Sequence, residues 1–331
     1  MIIRCKAYPR AGLVGNPSDG YFGRTISFTF SNFFAETVLY PSTELELLPG
    51  PRDRTVFRNL DGLADSVERY GYYGGIRLMQ AALKRFAEYA CKTGIQLENK
   101  NFSLRYFSNI PPHVGMAGSS AIITACFRAL MKFYGVEISN PELANLVLSA
   151  EKDELKISAG LQDRVAQAYQ GVVFMDFDRS LMEKKGCGNY EPLPAGNLPP
   201  VYIAYRTDFS ESSDVFHNDI RGRYDRGEAE VIEAMSFWAD LTVRAREALL
   251  AGNRRELGEL LNANFDRRRE LYKIHPDNLA MVDAARAAGA SAKFTGSGGA
   301  IVGLYDDDAM YQRLCETLTP MGIHVFCPNL I

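Results

Sequence analysis

A loop rich in glycine and hydroxyl residues, directly ahead of a long apolar helix, is the feature that most constrains the fold of this chain. The loop covers residues 111–121 (PPHVGMAGSSA), and the apolar pattern that follows predicts a helix from residue 121 to about 134. Small residues let backbone N–H groups approach a ligand closely, and the positive end of a helix favours negative charge. The junction therefore predicts an anion site, with phosphate as the first candidate. The alternative is an ordinary loop with a serine N-cap.

Length and charge narrow the class of protein. A chain of 331 residues exceeds what one hydrophobic core usually supports, which predicts two domains. The content of 47% hydrophobic and 23% charged residues is typical of a soluble globular protein. A formal charge of −3 argues against nucleic acid or an anionic membrane as the partner, whereas a small polyphosphate remains compatible with it.

The cysteines and the N-terminus indicate the compartment. The six cysteines stand far apart without metal-ligand spacing, and this pattern predicts buried free thiols in a reducing compartment. Residues 1–8 are too soon interrupted by charge to form a signal peptide, and no apolar run approaches the ~20 residues of a membrane span. We therefore expect a cytoplasmic protein without a membrane partner. The sequence does not predict its oligomeric state.

The periodicity along the chain predicts an α+β architecture. Short strands are expected in residues 1–40 around a turn-rich loop at 9–23, and a largely helical segment at 61–90. Asn140 is expected to cap a helix that has Pro141 at its first position and runs to about residue 155. A glycine- and proline-rich stretch at 184–200 predicts the boundary between domains 1–190 and 191–331. Other expected helices are 161–169, 228–251, 254–272, 278–288 and 307–318, and other expected strands are 102–106, 171–175, 201–205, 300–305 and 323–327.

Two common nucleotide folds and a zinc site are disfavoured. The loop at 115–120 lacks the lysine of a P-loop, and the segment 296–299 (GSGG) does not supply the Gly-x-Gly-x-x-Gly of a dinucleotide fold. The four histidines show no paired spacing for zinc, so packing or surface roles are expected for them.

Three separated segments nevertheless share a richness in glycine and small polar residues: 9–23, 111–121 and 293–299. In order and spacing, the runs YPRAGLVGNPSD (8–19), GMAGSSA (115–121) and KFTGSGGA (293–300) resemble the three motifs of the GHMP kinases. That resemblance implies a two-domain α+β fold, with a mixed α/β N-terminal domain that carries the phosphate loop and a ferredoxin-like C-terminal domain. It also implies ATP and Mg²⁺ as cofactors.

Within that superfamily the chain resembles the glucuronokinase subfamily more closely. The resemblance rests on the runs GLVGNPSD (12–19), YFGRTIS (21–27), AGLQDRVAQ (159–167) and NFDRRR (264–269), and on an additional Gly118 in the phosphate loop. It implies ATP-dependent phosphorylation of the anomeric hydroxyl of D-glucuronate, so the partners are ATP and a small sugar acid.

The resemblance assigns catalytic roles to two residues. Asp163, in GLQD (160–163), occupies the position of the family's catalytic aspartate, and the alternative is an aspartate that interacts with a helix dipole. Arg10 falls where the first motif carries a basic residue near the acceptor and the γ-phosphate. It would polarise the acceptor hydroxyl or hold Asp163 ionised, and the alternative is a surface arginine at a strand end.

The resemblance also assigns the phosphate and metal ligands. Ser120 and Glu151 match the magnesium positions, and hard oxygen ligands suit that ion. Glu151 lies in the acidic run EKDE (151–154), whose usual meaning is a solvated helix face, and its spacing to Asp163 is one residue longer than in mevalonate kinases. The residues expected to bind ATP phosphates are Gly115, Ala117, Gly118, Ser119 and Ser120.

A uronate acceptor requires a cation for its carboxylate. Arg24 and the run Arg267–Arg268–Arg269 supply candidates, and because consecutive helix positions face different directions at most one or two of that run can reach one ligand. Asp19 falls where related sugar kinases bond a sugar hydroxyl, although Asn16–Pro17 replaces the Glu–His pair of galactokinases. The residues expected to bind substrate are Asp19, Arg24, Arg268, Gly296, Ser297 and Gly298, with the glycines shaping the site floor.

Two other functions remain open from the sequence. The fold could serve another sugar or sugar acid, or it could bind a ligand without transferring phosphate. The joint presence of Arg10, Ser120, Glu151 and Asp163 argues against the second interpretation.

Overall fold

The computed structural model describes residues 1–50, 53, 57–63, 74–157, 160–207 and 220–331. In this part of the chain, strands form three four-stranded sheets, and helices pack against them. The strands are β1 (Ile3–Ala7), β2 (Arg10–Val14), β3 (Arg24–Thr29), β4 (Ala35–Pro41), β5 (Glu46–Leu48), β6 (Phe102–Ser108), β7 (Val172–Asp176), β8 (Asn189–Leu193), β9 (Val201–Tyr205), β10 (Lys293–Phe294), β11 (Ala300–Leu304) and β12 (His324–Phe326). The helices that matter below are α1 (Gly75–Thr93), α2 (Gly118–Tyr134), α3 (Asn140–Ser149), α4 (Gln162–Tyr169), α5 (Arg179–Lys185), α6 (Ala229–Leu250), α7 (Arg254–Leu271), α8 (Pro276–Ala287) and α9 (Asp308–Leu318).

The three sheets have the strand orders β1-β4-β6-β5, β2-β3-β7-β8 and β10-β11-β9-β12. All neighbouring strands run antiparallel except β5 and β6, which pair in parallel. In β1 the residues Ile3, Cys5 and Ala7 face the core while Arg4 and Lys6 face outward, as the period of two predicts. In β2, by contrast, all five residues are buried, because this strand lies in the interior where the site forms.

The predicted turn-rich loop at 9–23 is wrong in its first half. Arg10–Val14 forms β2, since both faces of this segment find partners that the local sequence does not reveal. The rest of the segment turns through a 3₁₀-helix at Ser18–Tyr21. The strands β5 and β10 were also not predicted, because they have only three and two residues. β8 was not predicted because it lies in the glycine- and proline-rich stretch and contains Pro192.

The ends of two helices differ from the prediction. Ser139, not Asn140, is the N-cap of α3, because its side chain and that of Glu142 form a capping box with the backbone. The α-helix ends at Ser149, and residues Ala150–Glu154 continue as a π-helix. The helix expected at 61–90 is found as α1 from Gly75, and residues 64–73 of that prediction lie outside the described residues.

The predicted domain boundary at 184–200 is not structureless. It contains β8, which pairs with β7 in the second sheet, and position 190 falls inside that strand. One continuous core joins residues on both sides of the stretch, including Met175 before it and Val201 and Leu241 after it. The division into domains 1–190 and 191–331 therefore stays a prediction.

The cysteines are free, as predicted, but only two of them are buried. Cys5 and Cys126 lie in the core, whereas Cys91 and Cys327 are exposed. The apolar runs around the cysteines therefore overstated their burial. Within the described ranges, no helix has both the length and the apolar character that crossing a membrane requires.

Replacing Gly303 in β11 tests how closely the third sheet is packed. A Cβ at Gly303 would overlap the carbonyl of Ser291 and lie 2.8 Å from the ring of Tyr202. We expect Gly303→Ala to lower the free energy of unfolding by at least about 2 kcal/mol, measured by urea denaturation. The matched control is Gly196→Ala, since no described atom lies within 4 Å of the added Cβ. Equal free energies of unfolding for the two variants would contradict the conclusion that there is no room for a Cβ at Gly303.

Candidate active site

The three glycine-rich segments meet in space, although about 280 residues separate the first from the last. The backbone N–H of Gly12 donates to the carbonyl of Thr295 at 2.8 Å, and that of Arg10 donates to Met116 at 3.3 Å. A Cβ at Gly296 would lie 2.5 Å from the carbonyl oxygen of Gly115. The segments thus form one site, with their backbones in direct contact.

The side chain of Arg10 holds this junction together. Its Nη1 donates to the carbonyl of Gly115 at 2.7 Å and to that of Thr295 at 2.8 Å. Its Nε and Nη2 both lie 2.7 Å from Oδ1 of Asp163. Since the side chain of Arg10 is only 6% exposed, it is not a surface arginine, and the alternative considered from sequence is wrong.

Asp163 lies in the first turn of α4 and keeps 16% of its side chain exposed. It therefore pairs with a buried cation and is still open to a small ligand. A carboxylate in such a position can accept a proton from a hydroxyl or orient it. The structure thus brings the two residues assigned to catalysis into direct contact.

The phosphate loop does not end in a serine N-cap, which was the alternative to an anion site. α2 begins at Gly118 with Ala117 as its N-cap in the left-handed conformation, and neither serine caps the helix. Gly118, Ser119 and Ser120 occupy the first turn, whose N–H groups lack partners within the helix. Ser119 is exposed and Ser120 is buried. This arrangement suits the binding of an anion at the helix N-terminus.

Ser120 and Glu151 face each other in the interior. The Ser120 hydroxyl donates to Oε1 of Glu151 at 2.8 Å, and Nε of Arg164 donates to Oε2 at 2.5 Å. Glu151 is 1% exposed while Lys152 and Asp153 point to solvent, so it is not part of the solvated helix face. Burial raises the pKa of Glu151, and the guanidinium of Arg164 opposes that shift.

Glu151 lies in a π-helical turn, on the chain segment that leads to Asp163. A π turn closes with i→i+5 bonds and so takes up one residue more than an α turn, often at functional sites. Glu151 lies in this turn, at Ala150–Glu154. In this turn Glu151 faces Ser120.

Asp19 lies beside the start of the helix that carries Asp163. Its Oδ2 accepts hydrogen bonds from the N–H groups of Leu161 at 2.8 Å and Gln162 at 3.1 Å. Burial raises the pKa of Asp19, and the nearby charge of Asp163 acts in the same direction, against the N–H bonds. Asp19 therefore helps to fix the start of α4.

Arg24 and Arg268, the two arginines assigned to substrate binding, differ in the partners of their guanidinium groups. Nε of Arg24 donates to Asp176 on the neighbouring strand at 2.8 Å, so its charge already has a partner. Arg268 is 4% exposed, and its two Nη groups donate to the carbonyls of Gly296 at 2.8 Å and Ser297 at 3.0 Å. The structure therefore brings Arg268, and not the side chain of Arg24, to the third motif.

The rest of the arginine run faces outward, as expected for consecutive helix positions. Arg267 pairs with Glu270, and Arg269 pairs with Asp283 on an exposed surface. Within the described part of the chain, Nε of Arg268 has no hydrogen-bond partner. That donor is buried, and the two Nη groups of Arg268 contact the backbone of the third motif.

Gly296 of the third motif has a packing reason beside the expected role in the site floor. Gly296 is required because the phosphate loop and Arg10 approach it, and a Cβ added there would lie 3.1 Å from both Nη1 and Nη2 of Arg10. Gly298 has a φ of 151°, which favours glycine. Ser297 and Gly298 keep partial exposure and line the opening. Contact between the motifs explains Gly296.

Sequence reasoning missed Lys293, which is 1% exposed. Its Nζ donates to the carbonyl of Gly12 at 2.6 Å, to Oδ1 of Asn16 at 2.6 Å and to the carbonyl of Phe294 at 2.7 Å. Burial lowers the pKa of Lys293, the nearby charges of Arg268 and Arg10 lower it further, and the charge of Asp19 opposes that shift. Three oxygen acceptors match the three N–H donors of an ammonium. The signal in the sequence that could have identified Lys293 is its place between the apolar residues Ala292 and Phe294.

Gln167 was missed as well. Its Nε2 donates to the carbonyl of Ala117 at 2.9 Å and so ties the phosphate loop to α4. Gln167 follows Asp163 by one helical turn, so the same helix positions the loop and the carboxylate. No three His, Cys, Asp or Glu side chains converge on a common point in the residues that the structure describes.

Comparison with known families gives the same class of protein. Residues 77–171 match the model of the GHMP kinases N terminal domain, and residues 245–319 match that of the GHMP kinases C terminal. Together with the phosphate loop and its facing Arg–Asp pair, these matches define a phosphotransferase with an alcohol group as acceptor. The chain belongs to the GHMP kinases.

Within that family the chain is similar to glucuronokinases. It is 43% identical to Glucuronokinase 1 of Arabidopsis thaliana over 99% of this chain and 94% of that protein. It is 46% identical to Probable glucuronokinase 2 of the same organism over 95% of this chain and 87% of that protein. A solved mevalonate kinase from Methanococcus jannaschii shares the fold, with a TM-score of 0.72 and 19% identity over 100% of this chain and 98% of that chain.

The buried lysine gives a test of how the motifs are joined. We expect Lys293→Met to lower the free energy of unfolding by about 1–3 kcal/mol, because the oxygens of Gly12 and Asn16 lose their donor in the interior. Chemical denaturation measures the change. Lys184→Met, on an exposed lysine of α5, is the matched control and should leave stability unchanged. A Lys293 variant as stable as this control would show that the three hydrogen bonds are dispensable.

Proposed function

We propose that this protein transfers the γ-phosphate of ATP to the anomeric hydroxyl of D-glucuronate, giving D-glucuronate 1-phosphate and ADP. The observation that carries the proposal is the Arg10–Asp163 pair, which lies where the phosphate loop, β2 and the third motif meet. Similarity to glucuronokinases over nearly the whole chain supports the choice of acceptor.

In the proposed reaction, the anomeric oxygen forms a bond to the γ-phosphorus while the bond from that phosphorus to the β–γ bridging oxygen breaks. Asp163 orients the hydroxyl and accepts its proton. Arg10 places positive charge beside the reacting groups, where it stabilises the charge that spreads over the γ-phosphate oxygens. The N–H groups of Gly118, Ser119 and Ser120 hold the phosphates, with Gly115 and Ala117 shaping the loop.

We also propose Mg²⁺ as the cofactor, held by Ser120 and Glu151. The residues fit this ion because two hard oxygen donors lie next to each other in a buried place, and phosphate and water would complete the shell. Arg164 offsets the buried charge of Glu151. When bound, the ion would neutralise charge on the phosphates.

For the acceptor we propose Asp19 as a hydroxyl partner and Arg268 as the carboxylate partner, near Gly296, Ser297 and Gly298. The contacts of the Arg268 guanidinium with Gly296 and Ser297 of the third motif support Arg268 over Arg24. The guanidinium of Arg24 is already paired with Asp176. We propose the cytoplasm as the compartment, supported by the six free thiols.

An acceptor panel tests the activity. With ATP and Mg²⁺, we expect turnover of D-glucuronate, and a kcat/KM about tenfold to a hundredfold lower for D-glucose, which lacks the charged group. Phosphorus NMR of the product should show a phosphate coupled to the anomeric proton. Rapid turnover of a neutral hexose without turnover of glucuronate would reject this acceptor, and no turnover of any sugar would favour a binding protein.

Replacing the proposed base tests the mechanism. We expect Asp163→Asn to lower kcat by about 10²–10⁴-fold, because the amide cannot accept the proton. Calorimetry should find the affinity for an ATP analogue retained. Asp240→Asn, at an exposed position on α6, is the control and should keep full activity. Unchanged turnover in the Asp163 variant would remove this residue from the mechanism.

A further inference from the structure

A cavity opens at the C-terminal end of α2, away from the phosphate loop at the other end of that helix. It has a volume of about 590 Å³. We call it the basic cavity, after the cationic side chains in its lining: Arg4, Lys6, Arg128 and Lys132. The functional site described above uses none of these residues.

The charge of the basic cavity is opposite to that of the whole protein. Its lining holds four cationic side chains and one acidic side chain, Glu137, and thus a net charge of +3. Counting a carboxylate at Ile331, which also lines it, still leaves +2. The complete chain has a formal charge of −3. Positive charge is therefore concentrated here, and a concave surface of one sign attracts ligands of the other.

Most of this positive charge has no carboxylate partner. In the described ranges, Arg4 pairs with Glu36, but Arg128, Lys6 and Lys132 form no salt bridge. The guanidinium of Arg128 donates to the backbone carbonyls of Lys6 at 2.9 Å and Gln167 at 2.7 Å. The ammonium of Lys6 lies 3.9 Å from the ring centroid of Phe34. An anionic ligand would supply the missing charge.

The size and remaining lining of the cavity define the class of ligand. Small-molecule sites usually measure about 300–1,000 Å³, so the cavity is too large for inorganic phosphate alone. Tyr8, Met131 and Val136 add apolar surface beside the cations. We propose that the basic cavity binds a phosphate-bearing small molecule, a sugar phosphate or a nucleotide, at a site separate from the active site.

The position of Arg128 couples the basic cavity to the active site. Arg128 donates to the carbonyl of Gln167, and the side chain of Gln167 donates to the carbonyl of Ala117 in the phosphate loop. Gln167 also lies one turn after Asp163 on α4. A ligand that binds Arg128 would therefore affect the hydrogen bonds that position the phosphate loop. The proposal includes this coupling between the two sites.

The experiment is calorimetric titration of the full chain whose active site is saturated with Mg²⁺ and a non-hydrolysable ATP analogue. The probes are inorganic phosphate, glucose 6-phosphate and UMP. We expect glucose 6-phosphate or UMP to bind more tightly than inorganic phosphate, and the stronger of the two identifies the ligand class. We expect Lys132→Glu to weaken that binding by at least about tenfold, since charge-assisted contacts are replaced by repulsion.

Lys132 is exposed, so its replacement should not disturb folding. Lys184→Glu makes the same change of charge on the exposed surface of α5 and should leave binding unchanged. The proposal is overturned if neither organic probe binds while the active site is occupied, or if both variants bind alike. These results do not depend on which acceptor the kinase uses.

A kinetic measurement tests the coupling. The probe that binds should change the KM for ATP of the unmodified chain, and this change should disappear in Lys132→Glu. A KM that stays constant at saturating probe would overturn the coupling to the phosphate loop. Binding that competes with ATP would place the probe in the active site and overturn the proposal of a separate site.

Discussion

The site depends on the hydrogen bonds and the ion pair that the guanidinium of Arg10 forms. This guanidinium reaches three segments that lie 105 to 285 residues away along the chain, through the carbonyls of Gly115 and Thr295 and the carboxylate of Asp163. A buried cation must have its donors satisfied, since each unmet donor costs free energy in the interior. The position that satisfies Arg10 is therefore also the position that assembles the phosphate loop, the third motif and α4.

A second layer of buried polar contacts supports this arrangement. Lys293 ties β10 to the first motif, Gln167 ties α4 to the phosphate loop, and Arg164 offsets the charge of Glu151. These side chains leave Asp163 and Ser119 open to a ligand, while they themselves are buried. Asp163 and Ser119 thus keep access to the opening, and the side chains that orient their elements lie behind them, where packing fixes their rotamers.

Much of the fold followed from local patterns. Apolar periodicity gave the approximate bounds of helices such as α6, α7 and α9, and alternation gave strands such as β6. Local patterns failed at β2, where a segment rich in glycine and proline became a fully buried strand, and at β8, which crosses the expected domain boundary. Each of them pairs with a strand close to it in the sequence, β2 with β3 and β8 with β7. The glycines and prolines in and around these segments are typical of turns, and they hide the strand pattern in a local window.

The sequence by itself determined the order and composition of three glycine-rich motifs, and with them the family and the residue types at the site. Only the tertiary structure decided which side chains meet. It turned Glu151 inward and Lys152 outward, paired Arg24 with Asp176, and brought Arg268 to the third motif. The physical reason is that a spacing along the chain specifies conformation over a few residues, whereas partners for buried charges are found across the whole fold.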